Sequence, residues 1–410
     1  MNKTLTFIDL FAGAGGLSEG FTREGFQPVA HVESDESACA TLTTRLAYQH
    51  LTKHKNESRY VEYLSGEIEQ SELWNEIPLH LRQSVIHEEI SDKSISRIYS
   101  QIDRQLNGKK VDILIGGPPC QAYSLVGRSR DPRRMVGDAR NYLFKYYARF
   151  LNRYQPAYFV FENVLGLLTA GNKVYLNEMI RLFRKVGYRT DIRVLNSEDF
   201  GVLQKRRRVI VIGRKGTEPF EFPSLETTDN NWQILDALFS DLPVLKPGEE
   251  LNTASYTKPC NEYLEISEIR NGLQFAPQHI ARPHNSRDLE IYSIAISKWL
   301  VKKSRLKYGE LPKRLRTHKN TRDFSDRFKV VDPFGHSHTV VAHISKDGHY
   351  YIYPDSNQVR SISVREAARI QSFPDNYFFE GGRTAAFRQI GNAVPPLMAR
   401  AIAKAIRRII

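Results

Sequence analysis

The sequence predicts an α/β protein, a doubly wound and mostly parallel sheet joined to a second, smaller mixed domain. Three observations carry that expectation. Short apolar runs alternate with amphipathic segments through the first half of the chain. Two of those runs end in glycine- or proline-rich turns, at the strand ends where such sheets hold ligands. Beyond residue 213 the alternation stops, and prolines at 219, 223, 243, 247, 259, 277 and 283 break the chain into short pieces.

Taken in order, Leu5 to Phe11 is a β-prone run ending in Ala12-Gly13-Ala14-Gly15-Gly16, and the segment after it offers Leu17, Phe21 and Phe26 to a core. That is a strand, a tight turn and a helix. Gln27 to Val32 reads as a second strand with Glu33 at its end, and Asp35 to Leu46 as the next helix. The polar stretch 48–109, with Leu73, Ile77, Leu81 and Val85 at helical spacing, reads as a helical, solvated insertion. Val111 to Ile115 is a buried parallel strand that stops at Gly116-Gly117-Pro118-Pro119-Cys120. Residues 121–140, with Arg128, Arg130, Arg133 and Arg134, read as a mobile loop. A helix (Tyr142 to Tyr154), a strand (Ala157 to Phe161), a helix over 173–186 and strands near 188–196 and 208–213 follow. Ser363-Val364-Arg365-Glu366 starts a helix with a capping box, and Pro395-Pro396 suits the first turn of a terminal helix from Leu397. The domain limits so read are 1–214, 215–384, and a segment 385–410 returning to the first domain.

A chain of 410 residues, 41% hydrophobic and 26% charged, is globular and long enough for two domains. No apolar stretch approaches the roughly 18 residues of a membrane span, and Asp9 comes too early for a secretory signal. Cys39, Cys120 and Cys260 form neither a disulfide framework nor a metal-site spacing, so a reducing cytosol and no metal are expected. The 59 basic residues exceed the 46 acidic ones, a net charge of +13, which points to a polyanion such as nucleic acid. Residues 282–329 concentrate that excess, as a surface facing phosphates does.

The glycine turn brings backbone close to a ligand, and NAD, a flavin, S-adenosylmethionine or no ligand at all are open on the glycines alone. Glu33 stands where a carboxylate meets ribose hydroxyls. Cys120 follows a buried strand on a stiff turn, where a thiol with a lowered pKa serves as a nucleophile. Glu162 follows its strand in the same way. In Gln204-Lys205-Arg206-Arg207-Arg208 an extended segment would set Arg206 and Arg208 on one face. A thiol, an acid and an arginine pair are thus delivered to one rim.

Phe7 to Gly16, Gly117-Pro118-Pro119-Cys120-Gln121-Ala122-Tyr123-Ser124, Glu162-Asn163-Val164, Gln204 to Arg208, Val364 to Pro374, and Gln389 to Pro396 resemble, in order, the motifs of the DNA (cytosine-5)-methyltransferases. Phe324 to Pro354 is similar to the bacterial restriction–modification members. The resemblance implies a Rossmann-like methyltransferase sheet with a target-recognition domain, and a reaction on duplex DNA with S-adenosylmethionine as methyl donor. Cys120 is then the nucleophile toward carbon 6 of a flipped cytosine, Glu162 bonds ring N3, and Arg208, with Arg206 beside it, contacts the base oxygen. Cofactor positions map onto Asp9, Phe11, Ala12, Gly13, Gly15, Gly16, Glu33, Pro119, Asn392 and Val394. Glu67 is the nearest candidate for the family's adenine-reading acid. Gln121, Ser124, Arg128 and Thr339 map onto DNA contacts. A cytoplasmic, nucleoid-associated monomer is expected, paired in function with a restriction endonuclease but not in a stable complex. The competing readings are a transfer-RNA cytosine methyltransferase and a non-catalytic DNA-binding relative.

Overall fold

Seven strands make the central sheet: β1 (Thr6–Leu10), β2 (Gln27–Glu33), β3 (Val85–His87), β4 (Ile113–Gly116), β5 (Tyr158–Asn163), β6 (Tyr188–Asn196) and β8 (Arg207–Lys215). The short β7 (Gln204–Lys205) precedes β8 outside that sheet. The structure is a computed structural model, and it describes residues 4–119, 142–228, 231–317, 320 and 325–410. Cys120 and the loop 121–140, with Gln121, Ser124 and Arg128, lie outside the described residues.

The strand order is β3-β2-β1-β4-β5-β8-β6. The first five of these strands run parallel, and β8 is antiparallel to both β5 and β6. Its register sets Asn163 opposite Val209, so the start of β8 meets the carboxyl end of β5. Leu10, Glu33, Gly116, Asn163 and Arg208 therefore share one rim.

The strands are apolar on both faces because helices cover both. Ile8, Leu114, Phe159, Phe161 and Val211 pack under α6 (Ile95–Leu106), α7 (Leu143–Tyr154) and α8 (Val174–Lys185). Phe7, Ile113, Ile115, Val160 and Ile210 pack under α1 (Gly16–Arg23) and α13 (Pro396–Arg407). Neighbouring residues of β1 and β4 alternate between the two cores, the period of two that a strand imposes.

The stretch 48–109 is not simply a solvated insertion. It contains the end of α2 (Glu36–Lys53), then α3 (Glu57–Ser65), α4 (Gln70–Asn75), α5 (Leu79–Arg82), the edge strand β3, and α6. Leu51, Tyr60, Leu64, Leu73 and Ile77 form a core that extends to Leu273 and Phe378. Three residues of β3 are too few for an alternation to be read, which is why Val85 passes for a helical position.

Among the described residues the second region holds α9 (Glu262–Ile266), α10 (Ser286–Lys302), α11 (Val364–Ile370), α12 (Arg383–Asn392) and, counting β7, four two-residue strands. β9 (Glu250–Leu251) pairs with β10 (His279–Ile280), and β11 (Ser337–His338) pairs in parallel with β7. Its core includes Leu238, Leu264, Val331, Ile362, Phe373, Phe387 and Ile390. Val394, Met398, Ala399, Ile402 and Ile406 instead join the core beneath the sheet. The Ser363 capping box is present: its side chain accepts from the Glu366 amide at 3.1 Å, and Glu366 reaches back to the Ser363 amide at 2.7 Å.

Candidate active site

The turn after β1 is built on left-handed backbone: φ is 57° at Phe11, 53° at Gly13 and 78° at Gly15. Glycine takes that conformation without a Cβ penalty, whereas Phe11 carries it as local strain. The turn aims the Gly13 amide at Glu33 Oε2, 2.7 Å away. The other Glu33 oxygen accepts from the amides of Ser34 and Asp35 at 2.7 and 2.8 Å. Glu33 is thus a fixed carboxylate rather than a loose strand-end acid. A Cβ placed on Gly13 would meet nothing within 4 Å, so open space lies before the turn. Asn392 is exposed, and Arg388 of the same helix α12 pairs with Asp35 at 2.8 Å, tying that helix to the end of β2. Open space at a glycine, a held carboxylate and a half-buried aromatic ring at Phe11 fit a nucleoside with free ribose hydroxyls.

Four of the expected cofactor positions, and Glu67, are engaged in packing or hydrogen bonds within the chain. Asp9 is buried and bonds the Ser18 hydroxyl, with His31 3.8 Å away, so its carboxylate supports α1 from beneath and does not face the open space. Gly16 is a close-packing glycine: a Cβ there would lie 2.2 Å from the Val394 carbonyl oxygen. Val394 is correspondingly buried. Ala12 donates its amide to Val32 O at 3.2 Å and is buried. Glu67 lies beyond α3, exposed and bonded to Ser65, away from the strand-end rim. The acids that do follow the third strand are Glu88, whose amide bonds Glu33 O at 2.9 Å, and the exposed Glu89. The β-branched pair Val85-Ile86 before them was the available signal.

The turn after β4 is held against β5. A Cβ on Gly116 would lie 2.3 Å from Leu10 O, and one on Gly117 would lie 2.7 Å from Glu162 Oε2. Asn163 donates its side-chain amide to Pro118 O at 3.3 Å. Pro118 is buried and Pro119 exposed, and Cys120 is next in the chain. Glu162 Oε1 lies 2.8 Å from Arg208 Nε, with both side chains only 12–13% exposed. This carboxylate therefore has one oxygen on a guanidinium and the other against the Gly117 turn, an oriented acceptor at the rim. Arg208 also donates to Arg207 O at 2.9 Å.

Arg206 does not share a face with Arg208. The strand is interrupted between β7 and β8, where the Arg206 carbonyl accepts from the Ser197 amide at 2.9 Å and the side chain turns inward. Alternation needs a continuous strand, and here the ladder breaks at this residue. Arg206 is fully buried and donates to Val340 O at 2.6 Å and Gly391 O at 3.3 Å. Burial, with Arg208 nearby, holds its pKa well below the usual arginine value. It joins three segments of the chain.

Thr339 stands beside this knot, donating its hydroxyl to Lys205 O at 2.6 Å. Gln204 accepts from the Val340 amide at 2.8 Å and donates to Gln371 Oε1 at 2.8 Å, and Gln371 donates to Ala393 O at 3.3 Å. Asn163, Gln204 and Gln371 lie inside recognisable motifs, yet their long-range partners had no local signal. Of the other cysteines, Cys39 has its thiol pushed up to about 12 by burial and by Glu33, which leaves it inert. Among the described residues no group of three or more His, Cys, Asp or Glu side chains is placed to hold a metal, and no helix is long and apolar enough to cross a membrane.

Residues 5–73 and 70–408 match the family of C-5 cytosine-specific DNA methylases. The type II methyltransferase M.Bpa9945I of Bacillus paralicheniformis is 43% identical over 445 aligned positions, covering 98% of each chain. M1.HphI of Haemophilus parahaemolyticus is 32% identical, covering 99% of this chain and 87% of its own. A prophage-encoded E. coli protein assigned as a DNA modification methyltransferase superposes with a TM-score of 0.61 at 22% identity, over 99% of both chains. The Entamoeba histolytica methyltransferase EhMeth gives 0.57 at 15% identity, over 100% of this chain and 99% of its own. These two structures share the fold. The chain belongs to the C-5 cytosine-specific DNA methylases and is a DNA cytosine-5 methyltransferase of the bacterial type II, restriction–modification kind.

Proposed function

We propose that this enzyme methylates carbon 5 of a flipped cytosine within a specific duplex DNA sequence, through transient addition of Cys120 to ring carbon 6. The observation that carries the reading is the Glu162–Arg208 pair, packed against the turn that leads into Cys120. The Cys120 thiolate forms a bond to carbon 6 while N3 takes up a proton. Glu162 accepts a hydrogen bond from the protonated N3, and Arg208 donates to the base carbonyl oxygen. Carbon 5 becomes nucleophilic and takes the methyl group. The carbon 5 proton then leaves to a base, the sulfur–carbon bond breaks, N3 gives up the proton it had taken, and the thiolate returns. A base inside a duplex cannot reach such a rim, so the target leaves the stack.

Phe11, Gly13, Glu33 and Asn392 are the residues to hold S-adenosylmethionine, with Glu33 on the ribose hydroxyls and Glu89 the nearest acid for the adenine amino group. When bound, that cofactor supplies an electrophilic methyl group. The basic charge accords with duplex DNA as substrate, and the type II relatives with a restriction–modification role; the enzyme is taken to be a monomer of the bacterial cytoplasm and nucleoid, working alongside a restriction endonuclease without a stable complex.

Bisulfite sequencing of DNA from cells expressing the chain is expected to show one methylated sequence context. Cys120→Ser is expected to abolish that signal while still binding S-adenosylhomocysteine, and duplex carrying 5-fluorocytosine at the target is expected to be trapped covalently, since fluorine blocks the last proton loss. Methylation by Cys120→Ser at the parental rate overturns the covalent scheme. Label appearing only in transfer RNA transfers the activity to that substrate.

A further inference from the structure

A glycine-rich turn has many conformations open to it, so something outside the turn must select one. Glu33 does this for the first half of the turn after β1, by holding the Gly13 amide. The second half is the Ala14–Gly15 peptide. Its N–H donates to Ala12 O at 2.9 Å, and its carbonyl accepts from the Tyr377 hydroxyl. Tyr377 lies between α11 and α12, 363 positions along the chain from Ala14, and both residues are buried. Gly15 makes room for this approach: a Cβ there would lie 2.9 Å from the Tyr377 hydroxyl oxygen and 2.8 Å from Leu42 Cδ2 of α2. With both its polar groups engaged, the peptide cannot turn over without leaving a buried carbonyl unpaired.

The tyrosine is itself fixed. Its amide donates to Pro374 O at 2.9 Å, and its carbonyl accepts from Arg365 at 3.1 Å. The Arg45 guanidinium of α2 sits 4.8 Å from the centre of the Tyr377 ring and donates to Asn376 Oδ1 at 3.0 Å. Arg45 is held in turn by Glu19 of α1, at 2.9 and 2.6 Å. Burial, and then the Glu19 carboxylate, push the Tyr377 pKa up, so its hydroxyl keeps the proton it donates.

Resting on the cofactor reading proposed above, we infer that Tyr377 is a positioning residue for S-adenosylmethionine, whose hydroxyl holds the Ala14–Gly15 peptide in the conformation that keeps Gly13 facing open space. Tyr377 is buried and acts through the turn. Without the hydroxyl the turn divides its time among conformers, and apparent affinity falls by the fraction that remains competent. The rim that carries Glu162 and Arg208 is left alone, so the loss falls on KM and not on kcat.

The test compares the full-length parent with Tyr377→Phe and Tyr60→Phe. Tyr60 of α3 is the control, because its hydroxyl is also buried and donates to Asn376 O at 2.9 Å, on the neighbouring residue rather than on the turn. Without cofactor, hydrogen exchange over residues 11–16 is expected to quicken about three- to tenfold in Tyr377→Phe, the worth of one hydrogen bond, and to stay parental in Tyr60→Phe. Calorimetry is expected to show S-adenosylhomocysteine bound about three- to tenfold more weakly by Tyr377→Phe alone. KM for S-adenosylmethionine should rise in step, with kcat on duplex DNA of the methylated context within about twofold. Both variants should melt within a few degrees of the parent. Parental exchange or parental affinity in Tyr377→Phe overturns the inference. Equal weakening in both variants means that the whole segment has loosened, and overturns it as well. A parent that binds no S-adenosylhomocysteine sinks the cofactor reading instead, and the exchange rates still decide whether Tyr377 holds the turn.

Discussion

Gly16 separates packing from ligand contact within the glycine turn. In Gly16→Ala the new methyl would start 2.2 Å from the Val394 carbonyl oxygen, 3.1 Å from Ala393 Cβ and 3.2 Å from the Phe373 ring. Ordinary contact needs about 3.4 Å, so α1 and the chain at Val394 must part by about 1.2 Å. The obstacle is backbone and cannot rotate away, which places the cost near the upper end of the roughly 1–3 kcal/mol for overpacking. The same displacement loosens the interlock of Leu17 and Phe21 with Met398 and Ile402. At about 2–4 °C per kcal/mol the melting midpoint falls by about 6 °C or more, and S-adenosylhomocysteine binding weakens about tenfold as Asn392 moves with its segment. Gly13→Ala is the counterpart. Its Cβ meets no atom within 4 Å, so only the left-handed φ of 53° is penalised, by about 1 kcal/mol. That variant melts close to the parent and loses cofactor affinity because its methyl occupies the open space. Thermal unfolding followed by circular dichroism, with calorimetric titration of S-adenosylhomocysteine, reads both. A Gly16→Ala protein that melts and binds like the parent refutes the packing argument.

Glu162→Gln keeps shape but removes the charge facing Arg208, and kcat is expected to drop by about a hundredfold or more with little change in DNA binding; single-turnover kinetics at parental speed would refute the assignment. Arg206→Met removes a buried cation that makes no ion pair with a carboxylate among the described residues, so the melting midpoint should move by only a few degrees. Methylation should slow by about tenfold or more as Val340 and Gly391 lose their tie, and Arg206→Lys should restore part of it; an unchanged rate in Arg206→Met sinks that role. His279 is buried and His338 half-buried beneath neighbouring side chains, and loss of hydration lowers both pKa values from 6.5 to about 4. The unfolded chain therefore takes up protons first as the pH falls. Their stabilisation is complete above about pH 6.5 and is lost on acidification toward pH 4, about 2 kcal/mol each at pH 5. Urea unfolding at pH 7 and pH 5 checks this, and a midpoint that does not move refutes it.

Much of this enzyme was legible along the chain. The runs at β1, β2, β4 and β5 are each apolar and bounded by turn residues, and burial on both sheet faces demands that text locally. The Ser363 capping box and the proline start of α13 are equally local, since their partners lie within one helical turn. Glu162 was identifiable as a rim residue because it sits at the carboxyl end of a parallel strand, whereas Arg208 reaches the same rim because β8 runs antiparallel to β5.

Only tertiary structure decided the rest, because the deciding contacts join residues far apart in the chain. Arg206 and Arg208 look equivalent in sequence, yet a break in the ladder buries one against Val340 and Gly391 and leaves the other on Glu162. Asp9, Gly13 and Gly16 look alike as ligand positions, but Ser18 and Val394 claim the first and last, and Gly13 alone of these faces open space. The short edge strand β3 had no period to read, so the acid after it was sought at Glu67. Residue type and spacing specify what a segment can become, and the arrival of distant backbone determines which side chains remain free for chemistry.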